Sequence, residues 1–357
     1  MPRSILFTGF PGFIGARLIP RLLGGDPEAR VVALVEPRME ARARELAAEV
    51  GGGRVDVQPG DITRERLGLD AATYDRLAAE TVEVFHLAAI YDLAVPAALA
   101  ERVNVTGTGN VVDFCRACTR LERHLYVSTA YVAGTRSGLV LEEDLAAGQG
   151  FKNHYESTKF AAEVLVRSSM GFDGVPTTIV RPAIVVGDSR TGETAKFDGP
   201  YYILRTAAAI PGPMPQLGNP GALFNVVPVD FVVEAIAVAA RDVTALGRTL
   251  HLVDPDPLPS SEVVTVFVRE YDGRTPSIRV PSGLVDRALR YTPVRALMGG
   301  TPRESLVYMN HPVRFDVSNA NEILGRHGLR CPRLPEYAGN LVSFFRAHED
   351  DPALRPA

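Results

Sequence analysis

Short apolar runs alternate with amphipathic stretches along the first two-thirds of the chain. The runs are rich in branched or aromatic residues, which is typical of β-strands, and the amphipathic stretches have the period of a helix. The strand candidates are residues 4–8, 31–35, 54–58, 82–87, 124–128 and 177–181, and the helix candidates are residues 39–50, 97–118 and 153–170. Apolar strands separated by helices predict an α/β fold with a doubly wound parallel sheet covered on both faces.

The pattern loosens after Arg181. Residues 187–229 carry many glycine, proline and aromatic residues without a clear period, so we expect a folded but irregular segment there. The later elements expected are a helix over 231–241, a strand over 249–253, a helix over 263–271 opened by Ser260, short helices and loops to residue 347, and a frayed polar tail over 348–357.

Composition narrows the class of protein. The 357 residues include 38 Lys and Arg against 42 Asp and Glu, a net charge of −4, so no basic excess exists for binding nucleic acid. Three cysteines exclude a disulfide scaffold and favour a reducing compartment, from which we expect a cytoplasmic protein.

No segment has the pattern of a signal peptide or a membrane span. The apolar run after Arg3 is too short for a secretory signal. The longest uncharged run, residues 206–229, could cross a bilayer by its length, but five prolines interrupt it. Because proline breaks a helix, we expect no transmembrane segment, while a peripheral membrane contact stays open.

A glycine motif follows the first predicted strand. Gly9, Gly12 and Gly15 are spaced GxxGxxG between this strand and a helical stretch. In that context the glycines allow a tight turn, a close approach of the backbone to a pyrophosphate, and close packing of helix on sheet. The helix N-terminus then binds the phosphates, so the motif predicts a dinucleotide site. Pro20 is expected to kink or shorten the helix.

The residues after the second and third strands bear on the choice of cofactor. Glu36 lies where an acidic residue accepts hydrogen bonds from the adenosine ribose, which favours NAD and repels a 2′-phosphate. Arg38, Arg42 and Arg44 lie close by and can have the opposite effect. Asp61 follows the third strand and is a candidate contact for adenine.

The catalytic candidates are Tyr155 and Lys159, which share one helix face at spacing i, i+4. Asn153 and Glu156 resemble a capping box, which places the helix start just before Tyr155. We expect the lysine ammonium to lower the pKa of the phenol, so that the tyrosine can exchange a proton with a carbonyl oxygen. The hydroxyls of Ser128 and Thr129 end a predicted strand and can orient that oxygen.

Other candidates for chemistry are weaker. Cys115 and Cys118 have CxxC spacing, but they lie on a predicted helix without a second pair, so we expect core packing and no metal site. His86 lies in an apolar strand and is expected to be a hydrogen-bonded core residue. His154 points away from the face that carries Tyr155.

Together these segments resemble the extended short-chain dehydrogenase/reductase superfamily, whose dinucleotide-binding part has the Rossmann fold. The segments that carry the resemblance are Thr8 to Gly15, Asp61-Ile62, His86 to Ala89, Asn104 to Asn110, Ser128 to Gly134, Tyr155 to Lys159 and Arg181 to Gly187. The resemblance implies that Thr129 binds the substrate oxygen, Tyr155 is the general acid/base, and Lys159 binds the nicotinamide ribose. Asn104 would be the structural asparagine between the sheet and the site.

The site residues implied fall into two groups. The expected cofactor-binding residues are Gly9, Phe10, Gly12, Phe13, Ile14, Gly15, Glu36, Arg38, Asp61, Ile62, Leu87, Ala88, Ala89, Asn104, Lys159, Pro182, Ile184 and Val185. The expected substrate-channel residues are Tyr91, Tyr131, Tyr201 and Tyr202. The corresponding division of the chain is a dinucleotide-binding domain over 1–186 and 230–253, a smaller substrate lobe over 187–229 and 254–347, and a flexible tail over 348–357.

Within the superfamily, the chain looks most like the fatty acyl-CoA reductases and thioester reductase domains. Residues 128–134, 187–192 and 197–202 carry this likeness. It implies an NAD(P)-dependent oxidoreductase acting on an acyl thioester, an aldehyde or a ketone, with a lipophilic substrate. It also favours NADP, whereas Glu36 favours NAD. With no adenylation or carrier segment in the chain, a thioester is expected to arrive free or on a separate carrier protein.

Two other functions stay open from the sequence. One is a nucleotide-sugar epimerase or dehydratase with a retained NAD, and the other is a dinucleotide-sensing interaction module without catalysis. The intact set of Thr129, Tyr155 and Lys159 argues against the sensor, which does not need it. A homodimer is also open, because related proteins commonly pair the helices beside the active site.

Overall fold

The computed structural model describes residues 3–91, 95–210, 212–216, 219–279 and 307–355. The strands are β1 (Arg3–Thr8), β2 (Ala29–Val35), β3 (Val55–Pro59), β4 (Thr81–His86), β5 (Arg123–Val127), β6 (Gly138–Val140), β7 (Thr177–Pro182), β8 (Ile184–Val186), β9 (Pro215–Gln216), β10 (Val226–Pro228), β11 (Thr249–Leu252), β12 (Ile278–Arg279) and β13 (Val313–Phe315). The helices are α1 (Phe13–Gly25), α2 (Glu40–Val50), α3 (Ala71–Glu80), α4 (Ala97–Ala100), α5 (Gly107–Ala117), α6 (His154–Ser168), α7 (Tyr201–Ala209), α8 (Val229–Arg241), α9 (Ser260–Asp272), α10 (Ser318–Arg326) and α11 (Leu334–His348).

Seven parallel strands form the main sheet in the order β11-β7-β5-β4-β1-β2-β3. This confirms the predicted doubly wound sheet. The strand order reverses between β1 and β4, and ligands bind in the crevice at the carboxyl ends of the strands at such a point. The register aligns three strand ends in one row, with Thr8 opposite His86 and His86 opposite Tyr126.

The strands of the main sheet lie within two residues of their predicted ends. The expected shortening of α1 at Pro20 is wrong, since the helix continues through Pro20 to Gly25. Proline removes one backbone hydrogen bond, but Leu18, Ile19, Leu22 and Leu23 are all buried on this helix. Burial of that apolar face offsets the lost bond.

Two helical predictions needed correction. The single helix predicted over 97–118 is divided into α4, a wide π-type turn at Glu101–Thr106 and α5. Such a turn re-aims a side chain that a regular helix would hold in register, and here it carries the buried Asn104. The irregular segment predicted over 187–229 contains α7, which buries Tyr201, Tyr202 and Leu204.

The apolar residues form two main cores. One lies around the sheet, where α1 and α8 pack together, and includes Leu22, Val180 and Ile236. The other lies among α7, α9 and α11 and includes Phe267 and Phe345. Within the described ranges, no helix combines the length and apolar character needed to cross a bilayer.

The sheet edge at β11 is covered by the N-terminal turn of α10. The buried carboxylate of Glu142 accepts the backbone N–H of His251 at 2.7 Å and that of Ala320 at 3.1 Å. Asn319 donates its side-chain amide to the carbonyl of Thr249 at 3.0 Å. Burial raises the pKa of Glu142 to about 7, against these hydrogen bonds. This contact fixes the C-terminal segment against the sheet.

A buried ion pair connects α6 to β7. The Arg181 guanidinium donates to both oxygens of Glu163, at 2.6 and 3.0 Å, and both side chains are fully buried. Ser128 donates to the same carboxylate at 2.6 Å, and Arg167 adds a bond at 2.9 Å. Burial alone would raise the pKa of Glu163, but the two arginines hold it at about 2.

We expect Glu163→Gln to lower the free energy of unfolding by about 3–5 kcal/mol, because it leaves Arg181 buried without its counter-charge. Glu80→Gln is the matched control, since it breaks the exposed Arg76–Glu80 pair and is expected to change this free energy by about 1 kcal/mol or less. Urea denaturation at neutral pH measures both free energies of unfolding, and equal losses in the two variants would contradict the expectation.

The low pKa of Glu163 also predicts that the contribution of the ion pair to stability declines as the pH falls from 4.5 towards about 2.

Candidate active site

A cavity of about 1320 Å³ opens at the carboxyl ends of the strands. One end is formed by the loop after β1, and the middle by the ends of β4, β5 and β7. The other end is closed by α7 and by residues of the C-terminal segment. The described residues contain no cluster of three or more His, Cys, Asp or Glu side chains that could hold a metal ion.

The loop after β1 leaves no room for a side chain at its glycine positions. Gly9 has φ +95°, and a Cβ on Gly12 or Gly15 would lie 2.7 or 2.6 Å from the Gly9 carbonyl oxygen. Helix α1 begins at Phe13, so the first amide groups of the helix have no intrahelical acceptor. A cradle of bare backbone beside a helix N-terminus fits a pyrophosphate, and the donor set therefore fits a dinucleotide.

The predicted residues at the ends of β2 and β3 line the same cavity. The Glu36 carboxylate pairs with the Arg38 guanidinium at 2.8 Å, and both side chains are exposed. Asp61 accepts the N–H and hydroxyl of Thr63 at 2.9 and 2.8 Å. Arg64 also lines this wall and was not predicted from the sequence. Its position three residues after Asp61, with which it forms an ion pair, could have indicated it.

The middle of the cavity is lined by most of the remaining predicted cofactor residues. They are Leu87, Ala88, Ala89, Lys159, Pro182, Ile184 and Val185. Thr129 lies here as well, and its hydroxyl donates to the Pro182 carbonyl at 3.4 Å. Ser128 also borders the cavity, but its hydroxyl is bonded to Glu163. Of the two hydroxyls at this strand end, that of Thr129 is therefore better placed to meet a ligand.

Tyr155 and Lys159 both reach the cavity from α6. The helix is capped as predicted, because Asn153 Oδ1 accepts the N–H of Glu156 at 3.0 Å. The Tyr155 ring meets the Tyr91 ring edge-on, with 5.1 Å between centroids.

The expected electrostatic effect of Lys159 on Tyr155 is wrong. Burial raises the pKa of Tyr155, and a hydrogen bond with Thr129 opposes that rise. The Lys159 ammonium instead donates to Tyr126 Oη at 2.9 Å and to the Val127 carbonyl at 2.8 Å. Burial also lowers the pKa of Lys159 to about 7, against the opposing effect of Glu163. The ammonium is thus directed to β5 and only partly charged at neutral pH.

Two predicted site contacts are not among the lining residues. Asn104 lies behind the cavity wall, where its amide binds the backbone of Ile90 and the hydroxyl of Thr158. These contacts agree with the expected structural role of Asn104 and not with a direct cofactor contact. Tyr201 points away from the cavity and accepts the N–H of Gly187 at 3.1 Å. Tyr91, Tyr131 and Tyr202 do line the cavity.

The substrate end of the cavity includes residues that the sequence did not indicate. Tyr308 packs edge-on against Tyr131 at 5.0 Å between centroids, and Met309 and Phe224 lie nearby on the cavity wall. The wall also carries two charged side chains, Lys196 and Asp198. No local pattern marked Tyr308, because its position depends on tertiary packing.

The histidine and cysteine predictions agree with the structure. His86 is buried and hydrogen-bonded to two threonines, Thr8 and Thr108. His154 is exposed and is not among the lining residues. Cys115 is buried in a core cluster, Cys118 packs against it, and neither is in a disulfide.

Comparison with known proteins adds independent information. The family model described as male sterility protein matches residues 7–236. The chain is 29% identical over 281 residues to a linear gramicidin synthase of Brevibacillus parabrevis, covering 74% of this chain and 5% of that protein. It is 28% identical over 279 residues to the large subunit of the L-2-aminoadipate reductase of Penicillium chrysogenum, covering 71% and 19%. The chain thus spans a small part of these relatives.

Solved structures match nearly the whole chain. The terminal R domain of the myxalamid PKS-NRPS biosynthetic pathway superposes with a TM-score of 0.85 and 27% identity, covering 98% of this chain and 92% of that chain. A thiolation-reductase di-domain of an archaeal non-ribosomal peptide synthetase has a TM-score of 0.74 at 16% identity, covering 98% and 76%, and supports the fold alone.

The glycine cradle predicts opposite effects of alanine at two positions of one helix. Gly15→Ala places a methyl group 2.6 Å from the Gly9 carbonyl, so we expect weaker dinucleotide binding and about 1–3 kcal/mol lower stability. Gly24→Ala meets nothing within 4 Å and is expected to stabilise α1 by about 0.5–1 kcal/mol without changing binding. Calorimetric titration with NADH and NADPH, together with urea denaturation, measures both. Unchanged binding by the Gly15 variant would contradict the proposed cradle.

Proposed function

This chain belongs to the male sterility protein family, in the thioester reductase branch of the extended short-chain dehydrogenase/reductase superfamily, and we propose that it reduces an acyl thioester to an aldehyde. The observation that carries the proposal is the arrangement of the cavity. The glycine cradle, Thr129, Tyr155 and Lys159 border one continuous space. A dinucleotide and a carbonyl substrate can therefore be held together there.

The proposed roles are those implied by the resemblance to the superfamily, applied to residues that line the cavity. The backbone around Gly12 and Phe13 holds the pyrophosphate, and Lys159 holds the nicotinamide ribose. When bound, the reduced dinucleotide supplies a hydride for the carbonyl carbon. Thr129 donates a hydrogen bond to the carbonyl oxygen, and Tyr155 gives that oxygen its phenolic proton. Burial raises the pKa of Tyr155, so the phenol is the form present at neutral pH and carries the proton that this step needs.

The thioester is then converted to an aldehyde in two steps. The carbonyl carbon gains the hydride and the oxygen gains the proton from Tyr155, which gives a hemithioacetal. Its carbon–sulfur bond breaks as the hydroxyl proton returns to the Tyr155 phenolate and the carbonyl re-forms, and the departing thiolate takes one proton from water. The aromatic and apolar wall at Tyr131, Tyr308 and Met309 supports a lipophilic acyl group in this part of the cavity.

We further propose that the thioester is presented by a carrier protein. The support is the likeness to reductase domains of synthetases, one of them solved together with its thiolation domain. In this proposal, the described residues of 1–186 and 230–253 hold the dinucleotide, and those of 187–229 and 254–347 enclose the acyl group. Residues 280–306 of the expected substrate lobe lie outside the described residues. The three free cysteines support a cytoplasmic location.

Tyr155→Phe tests the proposed acid. We expect kcat/KM for acyl-CoA reduction to fall by about 10²-fold or more, because the proton donor is lost. Dinucleotide affinity should stay unchanged, since the ring remains. Consumption of NADH and NADPH against a panel of acyl-CoAs, with the aldehyde trapped, measures the reaction. Tyr201→Phe is the control, because that phenol bonds Gly187 outside the cavity. Full activity of the Tyr155 variant would refute the role.

Glu36→Ala tests the cofactor choice. The substitution removes a negative charge from the cavity wall and frees Arg38 from its ion pair. We therefore expect the ratio of NADPH affinity to NADH affinity to rise by about tenfold, which corresponds to one hydrogen bond to a charged group. Glu40→Ala is the control, since it removes an exposed carboxylate that pairs with Arg44 outside the cavity. If both variants leave the ratio unchanged, Glu36 does not contact the adenosine ribose.

A further inference from the structure

Strand β5 provides two hydrogen-bond acceptors for the Lys159 ammonium. Its Nζ atom donates to Tyr126 Oη at 2.9 Å and to the Val127 carbonyl at 2.8 Å, and it lies 4.4 Å from the centre of the Tyr126 ring. An ammonium has three N–H donors. These two contacts leave one donor for a group in the cavity, which Lys159 lines. The direction of that donor therefore depends on Tyr126.

Thr108 lies near the Tyr126 phenol. Burial raises the pKa of that phenol, and the Thr108 hydroxyl opposes this rise. Thr108 donates its own hydroxyl proton to the Asn104 carbonyl at 2.6 Å, so its side chain is held against the backbone of the π-type turn.

His86 is hydrogen-bonded both to Thr108 and to Thr8. Its Nε2 lies 3.0 Å from the Thr108 oxygen and its Nδ1 lies 2.7 Å from the Thr8 oxygen. Burial and the nearby Lys159 charge hold the pKa of His86 well below its usual range, so the ring is neutral. Because Thr108 has no proton left to give to His86, the ring proton resides on Nε2, and Nδ1 accepts from Thr8.

These contacts are largely shielded from solvent. Tyr126 is 0% exposed and Lys159 is 3% exposed. The ionisable groups around Lys159 are Glu163 on its own helix, which favours the charged form, and Tyr126 and His86 on the adjoining strands. A hydrogen bond to a charged group is strong where the surroundings have a low dielectric constant.

We propose that Tyr126 is a positioning residue for Lys159: its phenol oxygen fixes the direction in which the ammonium points into the cavity. That Lys159 then holds the cofactor ribose rests on the proposed function. The arrangement of hydrogen bonds does not, so the two can be tested separately.

The titration of Lys159 can be measured directly, because the chain contains only three lysines, Lys152, Lys159 and Lys196. Labelling lysine side chains with ¹³C gives three ε-carbon signals by NMR, which Lys152→Arg and Lys196→Arg assign by elimination. The protein is titrated without any ligand. In the unsubstituted protein we expect the Lys159 signal to titrate near pH 7.

Tyr126→Phe is the main variant, since it keeps the ring beside the ammonium and removes only the hydroxyl. Loss of an acceptor destabilises the charged form, so we expect the Lys159 midpoint to fall by about one pH unit. Tyr74→Phe is the control, because it removes the hydroxyl of a half-buried tyrosine outside the cavity lining, and the Lys159 midpoint should not move in that variant.

An unchanged Lys159 midpoint in a folded Tyr126→Phe protein overturns the proposal, and so does an equal shift in Tyr74→Phe. A second measurement follows thioester reduction against pH, where the alkaline limb should move down with the midpoint in Tyr126→Phe. If the midpoint moves while neither the parent protein nor the variant reduces any thioester, the positioning role stands and the proposed function fails.

Discussion

The buried ion pair between Glu163 and Arg181 is the interaction on which the site depends. It fixes α6 against β7, and the same helix carries Lys159 one turn earlier and Tyr155 two turns earlier. The Glu163 carboxylate also accepts the hydroxyl of Ser128, whereas the next residue, Thr129, lines the cavity without contacting this carboxylate. One carboxylate thus sets the relative positions of the helix that bears the proposed acid and the strand end that bears the proposed hydrogen-bond donor.

Burial decides the protonation of the two central side chains. An isolated tyrosine beside a lysine in water would become more acidic, but here removal of solvent raises the pKa of Tyr155 and lowers that of Lys159 to about 7. Both groups therefore move towards their neutral forms. For a reduction, which consumes a proton at the carbonyl oxygen, a protonated phenol is the useful state.

The parts of the molecule that depend on local sequence could be predicted. Apolar runs located the strands, and the glycine spacing located the cradle, because short-range sterics determine both. Pro20 was misjudged because packing of the apolar face of α1 outweighs one missing hydrogen bond. Asn104 and Tyr201 were assigned to the site by motif position, whereas the directions of their side chains depend on backbone partners at Ile90 and Gly187. The bond from Lys159 to Tyr126 joins residues 33 positions apart in different elements, so no pattern in the chain could show it.

Strand β11 lies at the border of the main sheet, where unpaired backbone groups could recruit another β-strand. The outward N–H of His251 and the outward carbonyl of Thr249 are already bonded to Glu142 and Asn319. An incoming peptide would have to displace both before it could pair. The fold therefore protects this border against edge-to-edge aggregation with side chains from a distant part of its own chain.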